Sequence, residues 1–115
     1  MSMHELTRNE LDHAGEARLY RALRRFWQPV MLLAELQDSP RVAVLLGEQL
    51  VLARMDGAVR CFADRCRHRG AALSLGSVED DQLRCAYHGW TYGSDGSCTV
   101  IPARSGTVVP RHAQL

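Results

Sequence analysis

The chain has 115 residues, with 14 basic and 13 acidic side chains and a net charge of +1. This length corresponds to one domain, and the balanced charge argues against a nucleic-acid or membrane-surface partner. No apolar run approaches the roughly 20 residues of a membrane span, and the N-terminus lacks the basic and apolar regions of a signal peptide. We therefore expect a cytoplasmic protein with no membrane or nucleic-acid role.

The first predicted element is a helix within residues 1–27. Its apolar residues recur at helical spacing, whereas most neighbouring arginines lie off this stripe, which comprises Leu19, Tyr20, Leu23, Phe26 and Trp27. The pattern predicts an amphipathic helix that ends before Pro29. We treat residues 1–27 as a helical extension and residues 28–115 as the main domain.

From residue 28 onward the pattern changes to short strands separated by turn residues. Gly47-Glu48 suits a two-residue hairpin turn, and residues 93–97 suit a five-residue hairpin loop. The sequence therefore predicts an all-β, antiparallel fold with one N-terminal helix. Strands are expected at residues 29–33, 41–46, 49–54, 58–63, 82–86 and 98–101.

Two short segments between these strands each carry one cysteine and one histidine: Cys66-Arg67-His68-Arg69-Gly70 and Cys85-Ala86-Tyr87-His88-Gly89-Trp90. Thiolate and imidazole are ligands of zinc and of iron–sulfur centres. One residue between Cys66 and His68 is too short a separation for two corners of a tetrahedral zinc site, so we expect these side chains to reach different metal atoms. A binuclear iron–sulfur cluster with two cysteines on one iron and two histidines on the other satisfies both spacings. A mononuclear zinc site with two cysteines and two histidines is the alternative.

At these residues the chain resembles the Rieske [2Fe-2S] family, most closely the N-terminal domain of Rieske non-haem iron oxygenases such as the ring-hydroxylating enzymes. The resemblance runs from residues 26–30 to residues 101–102. It implies an antiparallel β-sandwich or barrel whose cluster is held at the tip of two loops. It also implies that Cys66 and Cys85 bind the buried iron, and His68 and His88 the outer iron. The resemblance rests on the motif residues Cys66-Arg67-His68-Arg69-Gly70-Ala71, Leu73-Ser74, Gly76 and Cys85-Ala86-Tyr87-His88-Gly89-Trp90-Thr91-Tyr92.

Departures from the respiratory Rieske proteins bear on the redox potential. Those proteins carry an extra cysteine in each segment, joined as a disulfide, where this chain has Ala71 and Tyr87. They also carry a serine where Trp90 stands. We therefore expect no such disulfide and a potential at the low end of the Rieske range, near roughly −150 mV. Cys61 and Cys98 are expected to be small buried hydrophobic residues.

The glycines and aromatic residues of the two segments are expected to surround the cluster. Gly70 and Gly89 either let backbone N–H groups approach the cluster sulfides or serve only as turn glycines. Trp90 and Tyr92 are expected to pack beneath the loops and exclude water from the inner iron.

Three arginines alternate with the first pair of ligands. Arg65, Arg67 and Arg69 are expected to point away from the cluster on one side of an extended loop. They either meet an acidic electron donor or a further protein domain, or are simply solvated.

The oxygenases that the chain resembles carry a second domain with a mononuclear Fe(II) bound by two histidines and a carboxylate. Of the remaining histidines, His4, His13 and His112, no pair forms such a motif. The chain also ends about where the family begins a further strand, so we expect a Rieske domain that is incomplete at its C-terminus and does not hydroxylate on its own.

The favoured function is electron transfer within a Rieske oxygenase, in aromatic-ring or related hydroxylation or demethylation. The resemblance implies a ferredoxin or flavin reductase as donor and His88 as the electron exit. It implies an oxygenase catalytic domain or a neighbouring subunit as acceptor, and a homotrimer. The alternatives are a stand-alone Rieske ferredoxin and a zinc-binding interaction module. A stand-alone ferredoxin should be monomeric, whereas a severed oxygenase domain should expose an unpaired sheet edge.

Overall fold

The structure is a computed structural model that describes the backbone of residues 3–115 and the side chains of residues 13–115. Helix α1 spans Met3–Leu23 and is followed by seven short strands. The strands are β1 (Arg41–Leu45), β2 (Glu48–Met55), β3 (Ala58–Ala63), β4 (Ser77–Glu79), β5 (Gln82–Arg84), β6 (Thr91–Tyr92) and β7 (Cys98–Val100). Single 3-10 turns lie at Leu33–Glu35, Leu73–Leu75 and Pro102–Arg104. No helix in the described part of the chain is long and apolar enough to cross a membrane.

The N-terminal helix is confirmed, but its predicted amphipathic packing is wrong. Leu19, Phe26 and Trp27 are exposed, with Trp27 fully so, and only Tyr20 and Leu23 are partly buried. The helix ends at Leu23, before Pro29 as predicted, so Phe26 and Trp27 of the predicted stripe lie beyond it. Helical spacing places apolar residues on one side of a helix, but it does not supply a surface for them to pack against.

Among the side chains that the structure describes, those at the end of the helix contact the turn between β1 and β2. The ring of Tyr20 packs against Gly47, and the Arg24 guanidinium forms an exposed ion pair with Glu48.

The first sheet has the order β1-β2-β3 and is antiparallel throughout. Its two hairpins close through two-residue turns whose residues all have positive φ, at Leu46-Gly47 (50° and 78°) and Asp56-Gly57 (52° and 72°). Such turns match the twist of the flanking strands. The first turn lies one residue earlier than predicted, because Glu48 pairs with Leu45 as a strand residue.

The second sheet is an antiparallel meander with the order β4-β5-β6-β7. Asp80 and Asp81, both with positive φ, turn the chain between β4 and β5. A bridge between Ser97 and Gln114 brings the C-terminal segment against the loop before β7. The predicted loop at residues 93–97 is confirmed.

The main core lies between the two sheets. Val51 and Met55 of the first sheet and Leu83 and Tyr92 of the second are completely buried in it. The other face of the first sheet is covered by Leu36. Leu36 follows residues 29–33, for which the sequence predicted a strand. That prediction is wrong, because these residues form a bend that leads into a 3-10 turn.

The two cysteines outside the motif segments differ in burial. Cys98 is buried as predicted, and its thiol lies 3.6 Å from the Val100 carbonyl oxygen. Cys61 is exposed, so its predicted burial is wrong. Cys61 and Phe62 are consecutive in β3 and therefore point to opposite faces, and Phe62 is the one that packs against the main core. The all-β class with one helix is otherwise confirmed.

Candidate metal centre

Two loops with the same backbone hydrogen bonds carry the predicted ligands. The first follows β3 and the second follows β5, so each sheet delivers one loop to the same end of the domain. In each, the cysteine N–H donates to the carbonyl five residues later, over 2.8 Å in both Cys66→Ala71 and Cys85→Trp90. These bonds close each loop and hold its cysteine and histidine on one compact turn.

Glycine is required in both loops. Gly70 and Gly89 have φ values of 74° and 72°, a region that residues with a Cβ rarely adopt. Their N–H groups donate to the carbonyls of Cys66 and Cys85, over 2.9 Å and 3.1 Å. Both glycines therefore act as turn residues, and their own N–H groups are used within the loops.

The two cysteines form the inner part of the site. Cys66 and Cys85 are each 3% exposed and belong to the core between the sheets. Burial raises the pKa of the Cys66 thiol, hydrogen bonds from Tyr92 and the His68 backbone lower it, and the neighbouring Cys85 raises it. Two thiols buried side by side without a disulfide suit a metal that replaces their protons.

The two histidines form the outer, exposed part of the site. The ring centroids of His68 and His88 are 4.9 Å apart. His68 stacks on Trp90 at 4.7 Å with the rings nearly parallel, and Tyr87 lies 3.8 Å from His88. Desolvation, His88 and the Arg69 charge lower the pKa of His68. A lowered pKa favours the neutral imidazole, which is the form that binds metals.

Tyr92 makes a contact that the sequence interpretation did not predict. Its hydroxyl accepts a hydrogen bond from the Arg67 N–H (3.0 Å) and lies 3.3 Å from the Cys66 sulfur. Burial and then the Cys66 hydrogen bond raise the pKa of Tyr92, so the phenol stays protonated and can donate to sulfur. Its packing beneath the loop was predicted, but pattern alone does not reveal where a hydroxyl points.

Asp64 was also missed by the sequence interpretation. This carboxylate is 8% exposed and accepts hydrogen bonds from the N–H and the hydroxyl of Ser74, over 2.7 Å and 2.5 Å. Asp64 precedes the first loop and Ser74 follows it, so the pair joins the two ends of that loop. The available signal was a carboxylate two residues before Cys66, at the end of a strand.

The donor set fits a binuclear centre better than a single metal. No group of three or more His, Cys, Asp or Glu side chains is placed to hold one metal ion among residues 13–115. The four candidate ligands form two pairs, one of buried thiols and one of exposed imidazoles. Four-coordinate zinc needs at least three protein ligands around one ion, whereas a Rieske cluster takes two cysteines on one iron and two histidines on the other.

Comparison with known proteins agrees with this geometry. The family model described as the Rieske [2Fe-2S] domain matches residues 26–111. Methylxanthine N1-demethylase NdmA of Pseudomonas putida is 40% identical over 99 residues, which are 81% of this chain and 28% of that protein. Phenoxybenzoate dioxygenase subunit alpha of Ectopseudomonas oleovorans is 48% identical over 81 residues, which are 70% of this chain and 20% of that protein.

Solved structures show the same fold. NdmA of Pseudomonas putida CBB5 superimposes with a TM-score of 0.79 at 40% identity, over 86% of this chain and 31% of that chain. Dicamba monooxygenase with non-heme iron and dicamba gives a TM-score of 0.72 at 32% identity, over 77% of this chain and 27% of that chain. The chain therefore spans less than a third of the length of each of these relatives. The relatives named above are a demethylase, a dioxygenase subunit alpha and a monooxygenase, and the chain belongs to the Rieske [2Fe-2S] domain family.

Proposed function

We propose that this chain transfers electrons through a Rieske [2Fe-2S] cluster bound by Cys66, His68, Cys85 and His88. Cys66 and Cys85 hold the inner iron, and His68 and His88 hold the outer iron. The observation that carries the proposal is the pairing of two buried thiols with two exposed imidazoles on matching loops. A cluster bound there supplies reversible one-electron transfer, with a potential in the range of roughly −150 to +300 mV.

The residues around the ligands have separate tasks in this proposal. The core around Cys66 and Cys85 keeps water from the inner iron. Stacking on Trp90 fixes the ring plane of His68. His68 and His88 are the exposed part of the site, so the electron enters and leaves on their side, and His88 is the proposed exit.

The acceptor is proposed to be the mononuclear iron of an oxygenase catalytic domain, either on a longer form of the chain or on a neighbouring subunit. The proposal is supported by relatives named as a demethylase and as a dioxygenase subunit, and by the monooxygenase structure with non-heme iron. Because relatives with different reactions have similar identity to this domain, the substrate is expected to be selected elsewhere. A ferredoxin or flavin reductase is the proposed donor.

The sheet edge favours the oxygenase over a stand-alone ferredoxin. In the part of the chain that the structure describes, strand β1 pairs with β2 alone, and its Val42 and Val44 are 50% and 67% exposed. An apolar edge strand left open to water is a liability that proteins usually cover. We propose that a further part of an oxygenase covers it.

The test is an electron paramagnetic resonance spectrum of the anaerobically purified, dithionite-reduced chain, with iron and zinc measured on the same sample. We expect two irons per chain, by the stoichiometry of the cluster, and the low average g-value of mixed histidine and cysteine ligation. Stoichiometric zinc without a signal in folded protein would overturn the proposal and favour the zinc-binding module.

His88→Cys tests one ligand directly. A thiolate adds negative charge at the iron, so the variant should keep a cluster but show a lower potential. His112→Cys is the matched control, because His112 lies near the two imidazoles but is not a proposed ligand. An unchanged potential in His88→Cys would exclude His88 as a ligand.

A further inference from the structure

The four candidate ligands are also, by residue type, a complete set of zinc ligands. Two cysteines and two histidines are a common composition of tetrahedral zinc sites. Zinc binds nitrogen and sulfur ligands more tightly than ferrous iron does, so a protein selects iron by geometry rather than by ligand affinity. Some feature of this chain must therefore keep its two thiols and two imidazoles from meeting around one ion.

The core holds the two cysteines in place, but it does not hold the two histidines. Cys66 and Cys85 are buried between the sheets. His68 and His88 are exposed, and exposed side chains ordinarily change rotamer within nanoseconds. Within the part of the chain whose side chains are described, no three ligating groups surround one position. Binding of a single zinc ion therefore requires the imidazoles to turn towards the thiols.

Trp90 restrains the imidazole of His68. The two rings are stacked, with their centroids 4.7 Å apart and their planes 9° from parallel. The Trp90 side chain is partly buried against the main core, and its carbonyl oxygen accepts the N–H of Cys85 over 2.8 Å. The indole is therefore a fixed surface, and the His68 ring loses this contact when it turns.

The aromatic contacts of His88 are of a different kind. Among the described side chains, its ring neighbours are His68, with centroids 4.9 Å apart, and Tyr87, with centroids 3.8 Å apart. Tyr87 is 59% exposed and directly precedes His88 in the same loop, so it moves with that loop and does not fix the ring. The restraint on the imidazole pair therefore depends on His68 and on the tryptophan beneath it.

A second contact fixes the backbone that carries His68. The hydroxyl of Tyr92 accepts a hydrogen bond from the Arg67 N–H, 3.0 Å long, and Arg67 directly precedes His68. Trp90 and Tyr92 both follow the second loop in the sequence, and both contact the first loop. The placement of the first loop's imidazole relative to the second loop is therefore set by protein contacts alone.

We propose that Trp90 determines metal specificity: by stacking on His68 it admits a two-iron cluster and excludes a single zinc ion. The proposal rests on the cluster assignment made above. Stacking covers the face of the imidazole and leaves the nitrogens at its edge free to bind a metal. A zinc ion must break the stack to gain all four ligands, whereas a cluster that spans the thiol pair and the imidazole pair leaves the stack intact.

The experiment is an anaerobic titration of the cluster-loaded protein with zinc chloride. Absorbance of the cluster reports how much remains, and bound zinc is measured after gel filtration. An aromatic pair contributes a factor of roughly two to ten to an equilibrium constant. Trp90→Leu should therefore lose half of its cluster at a zinc concentration at least about threefold lower than the unmodified protein, and should retain stoichiometric zinc.

Two further variants separate stacking from bulk. Trp90→Phe keeps a ring that stacks on His68, so its zinc midpoint should stay within about twofold of the unmodified protein. Trp27→Leu is the matched control, because it is the same substitution at the other tryptophan of the chain, which is fully exposed. Its zinc midpoint should be unchanged.

A parallel titration with a chelator, without zinc, shows whether a variant merely holds its cluster poorly. A Trp90→Leu protein that loses its cluster to zinc and to chelator alike and retains no zinc, or that takes up neither metal, would show a structural role only and overturn the proposal. Equal zinc midpoints in all four proteins would overturn it too and leave the electron-transfer function intact. Zinc in place of iron in the unmodified protein, with no paramagnetic signal after reduction, would overturn both proposals.

Discussion

Removal of a single hydroxyl group, in Tyr92→Phe, tests how the protein sets the potential of its metal centre. The Tyr92 hydroxyl accepts a hydrogen bond from Arg67 and lies 3.3 Å from the Cys66 sulfur. A cysteine bound to iron has lost its proton, so in the loaded protein the tyrosine must be the donor. The completely buried ring fits Phe without a change of shape.

The sign and size of the effect follow from the charge of the cluster. Reduction adds negative charge, so a donor to sulfur stabilises the reduced state more than the oxidised one, and its removal lowers the potential. Hydrogen bonds to charged groups contribute roughly 1.5 to 3 kcal/mol, and the long contact to sulfur puts this one at the weak end. We take about 1 kcal/mol as the difference in the free energy of this hydrogen bond between the reduced and the oxidised cluster. Since about 1.4 kcal/mol corresponds to about 59 mV for one electron, the potential should fall by about 40 mV.

The assay is a spectroelectrochemical titration of the loaded protein. Tyr87→Phe is the matched control, because its hydroxyl is on the second loop and makes no hydrogen bond to any residue that the structure describes. Its potential should stay within about 10 mV of the unmodified protein, well below the shift derived for Tyr92. A Tyr92→Phe protein with an intact cluster and an unchanged or higher potential would refute the reasoning.

Two further predictions concern the supports of the ligand loops. A Cβ at Gly76 would lie 1.9 Å from the Arg84 carbonyl oxygen, so Gly76→Ala should push β4 from β5 and cost about 3 kcal/mol or more in thermal unfolding. Gly15→Ala, which meets nothing within 4 Å, should not destabilise the protein, and equal losses in both variants would contradict the steric argument. Asp64→Ala removes both hydrogen bonds to Ser74 and should cost about 2 to 3 kcal/mol and speed cluster loss, whereas Ser74→Ala should cost about 1 kcal/mol. Chemical denaturation and the decay of cluster absorbance measure both effects, and equal costs would argue against the proposed role of the carboxylate.

The local sequence pattern located several strands correctly, but it misplaced the turn between β1 and β2 by one residue. The prediction placed Gly47-Glu48 at the first hairpin, whereas Leu46 and Gly47 make the turn. A leucine with positive φ is unfavourable by itself, and it is accepted here because the paired strands on both sides determine the register. The turn-forming residues in the sequence therefore predict that a hairpin forms, and the pairing of the two strands decides which residues make the turn.

The sequence by itself identified the family of this protein. Two Cys/His pairs at these spacings, with Gly70 two residues after His68 and Gly89 directly after His88, are sufficient to predict the family, the cluster and the two-loop arrangement. These features are local, because each loop is a short turn with its own hydrogen bonds. The strands that precede the loops were also recognisable from alternation and turn residues.

Only the tertiary structure decided what surrounds the ligands. Packing between the two sheets buries Tyr92 and directs its hydroxyl to Cys66, and the end of β3 brings Asp64 to Ser74. Burial also depends on which surfaces have a partner, so Cys61 is exposed although it lies in a strand, and the apolar stripe of the helix remains largely open to water. Contacts between residues distant in sequence are absent from any local pattern, because they arise only when separate elements pack together.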